Sequence, residues 1–158
     1  MAMAIGTLAL KLFENGSPLP MTPADLAALS PDVDFKTTVP LKEWTNIVVL
    51  PFTDSSAARA AKSAHFILDT RNGKPVVRTT DLWRQQFATL AVDGDFASIT
   101  IGVKGDFSKT PPTPVQMDKL VKLVCMLQQL RNIPRQNVTL HEPGAAFPRE
   151  TFGAKLLR

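Results

Sequence analysis

Apolar and polar positions alternate most clearly over Ser98–Val103, where Ile99, Ile101 and Val103 share one face. That period predicts a strand with one buried side. Gly105, Asp106 and Phe107 then turn the chain, and Pro111 and Pro112 block an early helix start. Thr113 is placed to cap a helix, Pro114 suits its first position, and Gln116 completes a Thr-x-x-Gln capping box. Met117, Leu120, Val121, Val124 and Leu127 follow at helical spacing, and Leu123 and Leu130 widen the stripe. Asp118, Lys119, Lys122, Gln128 and Gln129 are expected on the opposite, polar side. Asn132, Ile133 and Pro134 stop the helix. Strand, turn and amphipathic helix make one unit, and such a helix must pack back onto a sheet.

The same reading extends to the rest of the chain. Residues 4–14 predict a strand ending at Asn15-Gly16, and Thr22 and Pro23 open a short helix that Ser30-Pro31 ends. Residues 1–40 are taken as an N-terminal elaboration on a main domain over 41–158. Ile47, Val48, Val49 and Leu50 form a continuous apolar run, as in a central strand buried on both faces, and Pro51 is expected to end it. Asp54 or Ser55 is expected to cap an alanine-rich helix from Ser56 to about Ser63. His65–Asp69 and Pro75–Thr79 predict two strands joined across Thr70-Arg71-Asn72-Gly73, a strong hairpin signal. Asp81 opens a turn of helix carrying Leu82 and Trp83, and Asp93-Gly94 marks another turn. Val138–Leu140 is a short strand leading to His141, and a last helical turn passes through Phe152, Leu156 and Leu157. The sum is a mixed α/β fold with a central sheet flanked by helices.

Composition narrows the function classes. The chain has 158 residues, enough for one domain with a real core. Lysine and arginine number 18 against 14 acidic residues, a net +4, and the basic residues are scattered. Nucleic-acid binding would call for a basic stripe with interleaved aromatics, and none is present. The single cysteine, Cys125, forbids an internal disulfide and lies among Val121, Val124 and Leu127, as a buried thiol does. No apolar run reaches membrane-spanning length. The opening MAMAIGTLALKLF lacks a basic leader region, so no signal peptide is expected: the sequence is cytoplasmic as it stands, and a mature secreted form is equally compatible.

Common catalytic patterns are absent. Ser55 and Ser56 have no base placed beside them and read as helix caps; Asp93 and Asp95 read as turn formers. No Gly-x-Gly-x-x-Gly loop is present. Trp44 and Trp83 read as core aromatics more readily than as sugar-stacking ones.

The order of elements and their local wording resemble those of zinc-dependent N-acetylmuramoyl-L-alanine amidases of the peptidoglycan-recognition type. The resemblance lies in Trp44 with Ile47–Thr53, Ala64-His65-Phe66-Ile67-Leu68, the Asn72-Gly73 turn and Arg78. It continues in Ser98-Ile99-Thr100-Ile101, Gly105-Asp106-Phe107, Pro112-Thr113-Pro114-Val115-Gln116, His141, and Phe147-Pro148-Arg149-Glu150-Thr151-Phe152. It covers roughly residues 44–153 and implies that family's fold, with peptidoglycan as the substrate class. The family's later motifs run Gly-His-x-x and then Cys-Pro-Gly-x-x-Phe.

The resemblance also implies where a zinc ion would sit, and there the chain departs from the pattern. The family's first ligand position is assigned to Pro51, the second to His141 and the third to Phe147, so only His141 offers a donor. A catalytic zinc needs three protein ligands and an open position. The family's tyrosine near the metal falls on Ala64, and a basic residue found in some members falls on Ala145. Asp54, His65, Asp106 and Glu142 are the candidate substitute ligands, with His65 read as structural. The expectation is therefore an amidase-like domain with no catalytic residues, no metal and no zinc cofactor. Its groove would be formed by Pro51, Phe52, Thr53, His141 and Phe147. It would bind a peptidoglycan-like glycopeptide or serve as a scaffold for a protein partner, itself included as an oligomer. The alternative is an active amidase with a rearranged metal site.

Overall fold

The computed structural model describes residues 24, 30–89 and 97–157. The expected strand over 4–14, the helix after Pro23 apart from Ala24, and the turn at Asp93-Gly94 lie outside those residues. Five strands form one sheet: β1 (Asn46–Phe52), β2 (Phe66–Arg71), β3 (Lys74–Thr79), β4 (Ser98–Lys104) and β5 (Val138–Leu140). Their order is β3-β2-β4-β1-β5, with β3 antiparallel to β2 and every other pairing parallel. The helices are α1 (Ala57–Ser63), α2 (Asp81–Arg84), α3 (Pro114–Arg131) and α4 (Arg149–Ala154). This is the mixed α/β architecture that the hydrophobic pattern predicts.

The topology follows from handedness. The crossover from β1 through α1 to β2 runs one way along the sheet, and that from β4 through α3 to β5 runs the other. Right-handed crossovers in opposite directions put their helices on opposite faces. The buried side chains divide accordingly. Ile47, Val49, Phe66, Leu68, Ile99, Ile101 and Val103 share the large core with Leu120, Leu123, Val124 and Leu127 of α3. Phe52 and Ile67 join Ala60 of α1 and Ala64 in a smaller cluster.

Local signals account for the turns. Asn72 and Gly73 both take positive φ, 51° and 73°, and join β2 to β3 by a two-residue turn. That twist matches the twist of paired strands. Thr113 Oγ1 accepts from the backbone N–H of Gln116, as a cap should, at 3.2 Å. The reciprocal half of the expected capping box is not made: Gln116 Nε2 donates instead to the carbonyl of Lys104, tying α3 to the end of β4. Asn132 adopts the left-handed conformation that ends α3.

Two expectations are corrected. Pro51 does not end β1; the strand continues to Phe52, with Pro51 opposite Val103. Along a strand the backbone polar groups point alternately to either neighbour. Val49 turns toward β5, where its carbonyl accepts from His141 N at 2.8 Å. Pro51 therefore turns the same way, but β5 pairs with β1 only as far as Val49. The missing N–H falls where no ladder partner exists. The second correction concerns Gln128 and Gln129, which are buried rather than on a polar face, at 2% and 1% exposure. Gln128 is held by the carbonyls of Ile133 and Leu157 and the N–H of Leu157.

The segment before β1 belongs to the same core. Val33 and Phe35 are buried within it. Trp83 Nε1 donates to the Phe35 carbonyl, and Thr38 N donates to that of Arg84. Trp44 and Trp83 are core residues, as expected, at 2% and 0% exposure. Cys125 is a buried thiol, and burial pushes its pKa up.

Candidate functional site

β1 and β5 run parallel, so Pro51 and His141 both emerge at the carboxyl ends of neighbouring strands. Crevices for ligands form at such ends in parallel sheets. A cavity of about 650 Å³ lies there, within the range of small-molecule sites. Leu50, Pro51 and Phe52 line it from β1, and Leu82, Ala88 and Thr89 from the segment around α2. Ser56, Arg59, Lys62 and Ser63 line it from α1 and the turn before it, and His141 and Glu142 from the loop after β5.

The structure brings together Pro51, Phe52 and His141 of the expected groove and sends the other two elsewhere. Thr53 is exposed and absorbed in a turn: its N–H donates to Ser56 Oγ at 3.0 Å, and its hydroxyl meets that of Ser55 at 2.8 Å. Ser55 and Ser56 do not cap α1 as expected; they lie in the turn before it, and neither makes a side-chain capping bond to that helix. Phe147 is 5% exposed and faces the large core. Its ring meets Phe107 at 5.5 Å and Phe152 at 5.8 Å between centroids. It does not fill the cavity.

The loop that does this work is Glu142-Pro143-Gly144-Ala145-Ala146-Phe147. Gly144 takes φ +88°, and a Cβ there would stand 2.5 Å from the Phe107 backbone. Ala146 N donates to the Phe107 carbonyl at 2.8 Å, holding the loop against that backbone. The sequence carried a signal for this arrangement. Glu142 precedes Pro-Gly-x-x-Phe, so it takes the place of the first residue in the family's Cys-Pro-Gly-x-x-Phe run, and Phe147 is that run's phenylalanine. The Glu142 carboxylate lies beside the cavity, whereas the Phe147 ring is buried in the large core.

The other candidate ligands have structural partners. Asp54 pairs with Lys104 Nζ at 2.8 Å, and the same ammonium lies 3.5 Å from Asp69. Asp106 is engaged by Ser108 and by Lys109 Nζ. His65 is fully buried between Trp44 and Trp83, and burial lowers its pKa to about 4. A catalytic zinc takes three protein donors. His141 and Glu142 supply two, Pro51 supplies none, and no three His, Cys, Asp or Glu side chains group suitably among the described residues. The residues present do not fit that ion.

A sequence model of the N-acetylmuramoyl-L-alanine amidase family matches residues 40–152, well over half of the chain. The chain belongs to that family. Its fold is similar to that of PGRP-Hd from Alvinella pompejana, with a TM-score of 0.53 and 16% identity over 75% of this chain and 87% of that one. It is also similar to the endolysin N-acetylmuramoyl-L-alanine amidase LysCS from Clostridium intestinale, with a TM-score of 0.52 and 20% identity over 79% of this chain and 95% of that one. At such identities the likeness is one of fold. No curated protein matches the sequence. No helix among the described residues is long and apolar enough to cross a membrane.

Proposed function

We propose that this chain is an amidase-family protein that binds peptidoglycan-type fragments in the cavity at the end of β1 without hydrolysing them. The observation that carries this reading is the donor set: one imidazole and one carboxylate beside a proline. Without a third donor, zinc is not held firmly enough to lower the pKa of a bound water or to polarise an amide. The cavity itself favours recognition over a purely scaffolding role. A scaffold would tolerate a plugged site, whereas Phe147 points away and leaves about 650 Å³ at the strand ends.

Glu142 supports a second reading, hydrolysis through a rearranged metal site, because it puts a carboxylate beside His141 at the cavity. One experiment separates the two. The protein is purified without chelator, assayed for zinc, and incubated with purified peptidoglycan at low salt. Retention on the peptidoglycan, sub-stoichiometric zinc and no release of peptides are the expected results. Stoichiometric zinc with peptide release overturns the proposal in favour of hydrolysis, and the absence of both retention and peptide release removes both readings.

A further inference from the structure

The charges lining the cavity are segregated. Arg59 and Lys62 lie on α1, which leaves β1 toward the β4 side, while Glu142 follows β5 on the other side. Among the described residues these three side chains make no ion pair or side-chain hydrogen bond. The two cations thus stand more than 4.0 Å from the carboxylate they share the cavity with. Asp54, the acidic residue nearest in sequence to α1, is already held by Lys104 at 2.8 Å. Between the charged sides lies an apolar floor of Leu50, Pro51 and Phe52.

Opposed charges that do not meet each other are complementary to a ligand of the reverse polarity. We infer that the cavity takes a short peptide by its free carboxylate on Arg59 and Lys62, and that a free amino end, which muramyl peptides lack, adds an ammonium toward Glu142. The floor accepts small apolar side chains. Arginine and carboxylate form charge-assisted, commonly bidentate bonds, which makes the acid end the stronger determinant. The inference rests on reading this cavity as a recognition site and specifies what is recognised there.

The test follows backbone amide shifts of the full chain by NMR. The titrants are trialanine, its C-terminal amide, its N-acetyl form, inorganic phosphate and a soluble muramyl peptide. Trialanine should shift residues 50, 52, 59–63 and 141–142, and loss of either terminal charge should weaken binding by about fivefold. Arg59→Gln and Lys62→Gln should weaken the acid by a similar factor and leave the amide unchanged. Glu142→Gln should abolish the preference for a free amino terminus. All three side chains are exposed, and unchanged thermal unfolding confirms that each variant is intact.

Equal binding of the acid and the amide, or tighter binding of phosphate than of peptide, overturns the inference. If the muramyl peptide binds without that preference, the inference fails while the cavity remains a recognition site. If trialanine binds through Arg59 and Lys62 but neither the muramyl peptide nor peptidoglycan binds, the inference holds and peptidoglycan is the wrong ligand.

Discussion

The backbone N–H of Thr100 donates to Nδ1 of His65 at 2.9 Å, so that nitrogen must carry a lone pair. Nε2 then holds the proton and donates it to the carbonyl of Phe87 at 2.8 Å. The imidazole joins β4 to the segment after α2 and is of use only when neutral. Burial is the largest cause that lowers its pKa to about 4, and the Lys42 ammonium acts in the same direction, against the Phe87 bond.

Stability should therefore fall on acidification. The unfolded chain takes up this proton near pH 6.5 and the folded one near 4, so the unfolded state binds more protons between those values. The contribution is fully present above pH 6.5 and is lost as the pH falls toward 4. A shift of this size corresponds to about 3 kcal/mol. Urea unfolding at pH 7.5, 5.5 and 4 should show the decline. His65→Gln should be less stable at neutral pH and lack this part of the pH dependence; an unaltered slope would remove the assignment.

Gly144 governs the loop that presents Glu142. With φ +88° and the Phe107 backbone 2.5 Å from a prospective Cβ, Gly144→Ala meets both strain and a clash. A cost of about 2 kcal/mol or more is expected in chemical denaturation. If the variant is as stable as the parent, the loop does not depend on this close approach.

Gln128 closes the C-terminal segment onto α3 through Ile133 and Leu157. Gln128→Leu keeps the side chain's approximate size but strands backbone groups that it satisfied. The expected loss is about 1–3 kcal/mol. The amide of Leu157 should also exchange with deuterium faster than in the parent, and unchanged exchange would contradict the clamp.

Phe147→Ala should cost about 3–5 kcal/mol, as expected for emptying an aromatic position among Phe107 and Phe152. Below its melting temperature the variant should bind cavity ligands as the parent does. A specific loss of binding without loss of stability would return this ring to the site.

These residues also show what local pattern conveys. The apolar run at Ile47–Leu50, the Asn72-Gly73 turn and the Thr113 cap act through near neighbours, so sequence spacing reveals them. The burial of Gln128 is different: its partners include Leu157, whose position depends on how the chain returns. Pro51 inside a strand is legible only once β5 is known to stop short of it. The site divided in the same way. Pro51, His141 and Phe147 all enter the expected groove through the resemblance, and local pattern does not tell whether the apolar Phe147 ring lines a cavity or the core. Only the turn at Gly144 decides which.

Pro51 offers the sharpest test of the metal argument. Its nitrogen faces a side of β1 that has no ladder partner, so restoring an N–H there creates no conflict within the sheet. Pro51→His would add an imidazole to a cavity that already holds His141 and Glu142, completing the number of protein donors that a catalytic zinc uses. The parent should leave gel filtration with far less than one zinc per chain, and the variant with about one. Zinc should also raise the variant's melting temperature while leaving the parent's unchanged, because an ion that binds only the folded state stabilises it. Equal, stoichiometric zinc in both proteins would mean that His141 and Glu142 already find their further donors, and would restore hydrolysis as the working hypothesis.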